Sequence, residues 1–335
     1  MTKLLELKKP KMVADAAGNQ KGLHIALEIL VFVAVFVVCS IAEMIVMTPM
    51  ELVLLFTNSD YINAIAAGDI AGVQAAANAL MQLDAMTIIM LFSNAGIILV
   101  TLLFCKLIQK RKVTTVGFQK PGMWMEYLCG MGAGLLIFSV AVLICVVTGS
   151  LKLQGLSPSF SIGIFVLFLL GYLVQGMAEE VLCRGYFLVS VSRRYPLAVG
   201  IIANAVLFAA LHLLNNGITV LAFINLVLFG VFASVYFIKR GNIWGVGALH
   251  SIWNLAQGNI YGIRVSGMQT SCSVLSSEMV AGRELINGGD FGLEGGLAVT
   301  IVLVAGILIL LASRQQRYVE NYTDGRQYSS RVSSS

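Results

Sequence analysis

The segment 165–190, FVLFLLGYLVQGMAEEVLCRGYFLVS, is apolar over most of its length but holds three ionisable residues. These are Glu179, Glu180 and Arg184. A run of about 20 apolar residues is long enough to cross the hydrocarbon core of a bilayer as a helix. An ionisable side chain inside such a helix costs about 2.5–3.5 kcal/mol on insertion scales, so each of the three is a candidate for function.

The rest of the chain has the same apolar character. Of its 335 residues, 58% are hydrophobic and only 12% are charged, against about 25% charged in a soluble domain. Because backbone groups in lipid must be paired within the protein, the apolar stretches are expected to be helices. The sequence therefore predicts an all-α, polytopic membrane helix bundle with about eight transmembrane helices. The predicted spans are 26–48, 86–106, 125–148, 165–190, 197–216, 219–238, 243–262 and 296–313.

The basic residues predict how the chain crosses the membrane. With the N-terminus inside, 18 of the 22 Lys and Arg fall in inner segments, three fall in outer segments, and Arg184 lies within a span. An excess of basic residues in short inner loops is the usual sign of orientation. We therefore expect a multi-pass plasma-membrane protein with both termini cytoplasmic. The net charge of +5 follows from this topology, and no nucleic-acid partner is expected.

The spacing of the three ionisable residues predicts one ion pair and one unpaired carboxylate. Glu180 and Arg184 are four residues apart, which places them on one face of a helix with the acid first. Glu179 is turned by about 100° from Glu180. The spacing predicts that Arg184 neutralises Glu180 and leaves Glu179 to face a cavity.

Two histidines lie in neighbouring apolar stretches at a comparable depth. His212 follows Phe208 by four residues, and His250 precedes Asn254 by four. Counted at about 1.5 Å per residue, Glu179, His212 and His250 lie roughly 21, 24 and 15 Å from the cytoplasmic ends of their predicted helices. Because the hydrocarbon core is about 30 Å thick, these side chains can meet within one bundle.

These residue types suit the hydrolysis of a peptide bond. A carboxylate in an apolar site can act as general base toward water, and a neutral imidazole beside it can relay the proton. A second histidine and an asparagine supply donors for the oxyanion of a tetrahedral intermediate. Such a set needs no covalent nucleophile.

Three short motifs resemble those of the CPBP family of CAAX proteases and bacteriocin-processing enzymes, which includes proteins like type II CAAX prenyl endopeptidases. EEVLCR at 179–184, FAALH at 208–212 and HSIWN at 250–254 are similar to its EExxxR, FxxxH and HxxxN elements. The resemblance extends over about 171–258. It implies an intramembrane endopeptidase whose substrate is a membrane-associated, prenylated or leader-bearing protein or peptide, with the lipid bilayer as its surroundings.

The resemblance also implies roles for single residues. Glu179 would be the water-activating base, and His212 would be the second group that binds water. His250 and Asn254 would stabilise the oxyanion. Glu180, Arg184 and Phe208 would support them.

The domain organisation follows from the placement of these motifs. The expected parts are N-terminal transmembrane helices and an outer loop at 1–160, a catalytic helix core at 161–262, an outer loop and last span at 263–313, and a disordered cytoplasmic tail at 314–335. The outer loop at about 57–85 is expected to hold a short amphipathic helix on the membrane surface.

Three alternatives stay open at the level of sequence. No cofactor is favoured, but a zinc ion held by Glu179, His212 and His250 is geometrically conceivable. A transporter could use Glu179 and the histidines as a proton or cation path, although it would favour inverted repeats and broken helices, which the sequence does not show. A catalytically silent scaffold or immunity protein is the third reading.

Overall fold

A computed structural model of the chain describes residues 7–19, 21–81, 83–313 and 315. The described part is mostly helical, which confirms the predicted all-α fold class. The predicted disordered tail, 314–335, lies outside the described residues except for residue 315.

The structure contains α-helices, π-helical turns and 3₁₀ turns along most of the described chain. In chain order the α-helices are α1 (Lys11–Asn19), α2 (Ile25–Thr57), α3 (Ser59–Ala66), α4 (Ile70–Met81), α5 (Asp84–Ser93), α6 (Ala95–Leu103), α7 (Met123–Val147), α8 (Ile162–Glu180), α9 (Val189–Ser192), α10 (Leu197–Ala210), α11 (Val220–Arg240), α12 (Trp244–Leu255), α13 (Glu284–Asn287) and α14 (Leu297–Ala312). Wider π-helical turns follow α6, α8 and α12, at Phe104–Ile108, Val181–Leu188 and Ala256–Ile260. Single 3₁₀ turns occur at Val113–Val116, Gly289–Phe291 and Leu293–Gly295.

Within the described residues, five helices are long and apolar enough to cross a membrane. They are Ile25–Thr57, Asp84–Ile108, Met123–Val147, Ile162–Ser192 and Val220–Arg240. The other three predicted spans coincide with shorter helices, since α10 has 14 residues, α12 has 12 and α14 has 16. The predicted positions therefore coincide with helices, whereas the count of eight membrane crossings is not confirmed.

The centre of the bundle is formed by α7, α8 and α12, which pack closely because glycines line their contacts. A Cβ atom added to Gly176 of α8 would lie 2.5 Å from the backbone nitrogen of Ser251 on α12. A Cβ added to Gly134 of α7 would lie 2.4 Å from the carbonyl oxygen of Leu249. Small residues that let helix backbones approach are typical of helix packing in membranes. This packing fixes the position of α12 against α8, and both helices carry site residues.

A short antiparallel sheet joins two loops at one end of the bundle. β1 (Leu151–Leu156) pairs with β2 (Leu275–Met279), and Leu151 lies opposite Met279. Both segments lie outside the predicted spans, and neither was predicted to form a strand. Near the same end, the predicted single surface helix at 57–85 is in fact two helices, α3 and α4, on either side of Gly68, whose φ is +66°.

Candidate active site

One cavity of about 510 Å³ lies between α2, α8, α10, α11 and α12. Glu179, His212, His250 and Asn254 all line it. Phe208 lines it as well. The structure thus brings the four predicted catalytic residues to a single space inside the bundle.

The predicted ion pair is present and fully buried. Arg184 Nη1 lies 2.8 Å from Glu180 Oε1, and both side chains are 0% exposed. The pair spans the junction of α8 with the wider helical turn at Val181–Leu188. Such π-helical turns occur frequently at functional sites. Arg184 also lies over the ring of Phe208, at 4.6 Å from its centroid.

Glu180 has a second partner that the sequence did not reveal. His250 Nδ1 lies 2.8 Å from the same oxygen, Glu180 Oε1. Because Arg184 stabilises the ionised carboxylate, Glu180 is an acceptor and the imidazole donates from Nδ1. A carboxylate that accepts from one ring nitrogen fixes the orientation of the ring and the role of the other nitrogen.

The free nitrogen of His250 faces Glu179. His250 Nε2 lies 3.9 Å from Glu179 Oε2, which is too long for a direct hydrogen bond but leaves room for a shared water. The side chain of Glu179 is 24% exposed, whereas that of Glu180 is 0% exposed. Of the two adjacent carboxylates, Glu179 is the one that faces the cavity, as the spacing predicted.

Gln175 is a site residue that the sequence analysis missed. It lies one helical turn before Glu179, and its Nε2 donates to Glu179 Oε1 at 2.5 Å. Its Oε1 accepts from Asn254 Nδ2 at 3.0 Å. Gln175 therefore links the candidate base on α8 to the candidate oxyanion donor on α12. Its position four residues before Glu179 could have identified it from the sequence, because residues at i and i+4 share one face of a helix.

The prediction that His212 lies inside a helix is wrong. α10 ends at Ala210, and His212 lies in the turn that follows. Gly217 takes a left-handed conformation, φ +74°, a few residues later. His212 nevertheless keeps its contact with Phe208: its Nδ1 lies 2.9 Å from the Phe208 carbonyl oxygen, and the two rings are 4.8 Å apart.

Phe208 also packs against the second histidine. Its ring lies 6.1 Å from the ring of His250, in an edge-to-face arrangement. Phe229 of α11 packs edge-to-face on His250 from 4.9 Å. Phe208 is therefore in ring contact with both histidines of the site.

The proposed zinc ligands do not form a ligand cluster in the described part of the chain. No group of three or more His, Cys, Asp or Glu side chains there is placed to hold a metal ion. In the described part of the chain, Glu179, His212 and His250 are therefore not gathered into a three-residue ligand set.

A further carboxylate reaches the cavity from outside the recognised motifs. Glu43 of α2 lines the same cavity as Glu179. It lies within the first predicted span, where an ionisable residue is itself a sign of function. Glu43 was not among the site residues predicted from the sequence.

Comparison with known proteins finds one match, which covers the central helices of the chain. Residues 161–256 match the family model described as Type II CAAX prenyl endopeptidase Rce1-like. All three motifs lie within this segment, and the match confirms the resemblance drawn from them. No curated protein and no solved structure matches the chain.

The match covers the segment that carries α8 to α12, less than a third of the chain. It supports intramembrane endopeptidase activity of the CAAX protease type. Together with the five long apolar helices, it indicates a membrane protein whose substrate is a protein.

Proposed function

We propose that the protein is an intramembrane endopeptidase in which Glu179 activates water for attack on a peptide carbonyl. The observation that carries the proposal is the 3.9 Å gap between Glu179 Oε2 and His250 Nε2, open to a cavity of about 510 Å³. A water in that gap would lie within hydrogen-bond distance of a carboxylate and of an oriented imidazole.

The reaction needs only proton transfers and an oxyanion site. Glu179 takes a proton from the water, whose oxygen attacks the scissile carbonyl. The tetrahedral intermediate then collapses, and the proton held by Glu179 passes to the leaving amine. Both steps use the same carboxylate, first as base and then as acid.

The oxyanion is stabilised from α12. Asn254 Nδ2 is one donor, and it must exchange its bond to Gln175 for one to the substrate. His250 Nε2 is the second, and this role requires the protonated ring because Nδ1 already donates to Glu180. Loss of one such donor typically lowers turnover by about 10²–10³.

The supporting residues hold this arrangement in place. Arg184 keeps Glu180 ionised, and Glu180 keeps His250 turned toward Glu179. His212, with Nδ1 near the Phe208 carbonyl, has Nε2 left to bind water on its side of the cavity. Buried side chains that orient a catalytic group in this way hold it in the geometry that the reaction needs.

We further propose a metal-free mechanism at the plasma membrane with both termini cytoplasmic. The candidate base, the oriented histidine and the amide donor supply base, water site and oxyanion donors without a Lewis acid. The excess of Lys and Arg in the predicted inner segments supports the orientation. The substrate is a membrane-associated, prenylated or leader-bearing protein or peptide.

The test is a comparison of cells that carry the wild type with cells that carry Glu179→Ala. Quantitative proteomics of membrane fractions should show at least one protein that accumulates uncut in the variant. The substitution Glu278→Ala, at an exposed position of β2, is the matched control. If the two variants give the same protein profile as the wild type, the proposed function is wrong.

A further inference from the structure

Glu43 faces the candidate base from a different part of the chain. It lies on α2, outside the segment 161–256, and it lines the same cavity as Glu179. The two carboxylates are close enough for the charge of Glu179 to act on Glu43.

The cavity between them carries an excess of negative charge. Among the described residues that line it are three carboxylates, Glu43, Glu179 and Glu294, and no Lys or Arg. Glu294 is satisfied by the Trp253 indole and by Ser266. Glu179 accepts from Gln175.

Glu43 differs from the other two carboxylates in lacking a partner. It makes no hydrogen bond and no ion pair within the described part of the chain. Its partial burial in the wall of the cavity disfavours its charge most, and the charge of Glu179 adds repulsion. A carboxylate inside a membrane protein normally faces a partner or a path for one.

The surroundings of Glu43 fit a long, cationic side chain. The same cavity is lined by three flexible apolar side chains, Met44 and Met47 of α2 and Met90 of α5, beside the polar Ser40 and Asn94. Lys and Arg lay their aliphatic stems along apolar surface and keep the charge at a polar group. A second polar group of the cavity, the hydroxyl of Tyr172, has no hydrogen-bond partner among the described residues, and Tyr172 is only 1% exposed.

We infer that Glu43 is a specificity-determining residue that binds a lysine or arginine side chain of the substrate near the bond that is cleaved. The inference rests on the proposed function and adds the substrate class to it. A cation at Glu43 relieves its repulsion with Glu179. By the same argument, an Asp or Glu side chain of the substrate at this position would be repelled by both Glu43 and Glu179.

The test uses purified protein in liposomes and a library of peptides anchored by an apolar helix, with a randomised segment next to the anchor. Mass spectrometry of the products gives the residue preference at each position around the cleaved bond. The variants are Glu43→Gln, the charge reversal Glu43→Lys, and Glu51→Gln as a control on the same helix, since Glu51 does not line the cavity. Glu179→Ala defines the background.

The wild type should favour Lys and Arg at one position. Glu43→Gln should lower that preference by at least about tenfold, the ratio expected for loss of one hydrogen bond to a charged group, and leave other positions unchanged. Glu43→Lys should favour Asp or Glu there. Glu51→Gln should behave as the wild type.

Two results would overturn the inference, and they are distinguishable. Cleavage that depends on Glu179 but shows no basic preference, or keeps it in Glu43→Gln, removes the role of Glu43 and leaves the proposed function standing. The absence of any cleavage above the Glu179→Ala background removes the proposed function, and the inference fails with it.

Discussion

Replacing Arg184 by methionine should destabilise the fold strongly, because the change leaves a buried charge without its main partner. Glu180 is 0% exposed, and one of its oxygens, Oε2, already has no hydrogen-bond partner. Without the guanidinium, His250 Nδ1 is the one remaining hydrogen-bond partner of this carboxylate among the described residues. Breaking a buried ion pair from one side typically costs about 3–5 kcal/mol, or two to nearly four orders of magnitude in the unfolding equilibrium.

The assay is reversible unfolding in mixed micelles with increasing denaturing detergent. Arg264→Met is the matched control, because Arg264 pairs with Asp290 at the surface and these side chains are 43% and 84% exposed. An exposed pair contributes about 0–1 kcal/mol. The double variant Glu180→Gln with Arg184→Met should recover part of the loss, since no charge is left unpaired. A single variant as stable as the control, or no recovery in the double variant, would refute this reasoning.

Three other predictions follow from the site and the topology. Asn254→Ala should lower kcat by about 10²–10³ with little change in KM, because its contact with the oxyanion forms in the transition state; a raised KM at unchanged kcat in cleavage assays would contradict this role. Activity should survive exhaustive chelation in detergent, and loss that added zinc reverses would show that the mechanism needs a metal. In a cysteine-free background, Glu278→Cys should react with an impermeant maleimide on intact cells and Lys112→Cys only after permeabilisation; equal labelling of both would refute the orientation.

The sequence was most informative about position along the chain. Apolar run length decides where a helix can lie in a bilayer, so each predicted span begins within a few residues of the start of a helix. It was less informative about length. The run at 197–216 stays apolar past Ala210, but the turn before Gly217 ends α10 early and leaves His212 outside it.

Contacts between residues far apart in the sequence could not be predicted from the spacing of residues along one helix. The i, i+4 rule gave the pair of Glu180 with Arg184 because one helix carries both. The same rule could not predict the hydrogen bond between His250 and Glu180, because His250 lies on another helix, 70 residues later in the chain. The β1–β2 sheet was missed for the same reason, because LKLQGL is short and its partner strand lies more than 100 residues away.

Glu43 shows a different kind of omission, since the information was present in the sequence. A carboxylate within the first apolar span is itself a signal, but no local motif accompanies it. Its relation to Glu179 became apparent only when α2 was found on the wall of the cavity. Single charges in otherwise apolar helices are therefore informative even where no motif surrounds them.

The central claim is that the Glu179 carboxylate activates the attacking water. The most direct measurement is the cleavage rate of the anchored peptide library by purified wild type and Glu179→Gln in liposomes, with Glu278→Gln as the control. We predict a loss of about 10²–10⁴ in rate for Glu179→Gln, the usual contribution of a general base, with the control unchanged. A Glu179→Gln enzyme that cleaves at the wild-type rate would contradict the account.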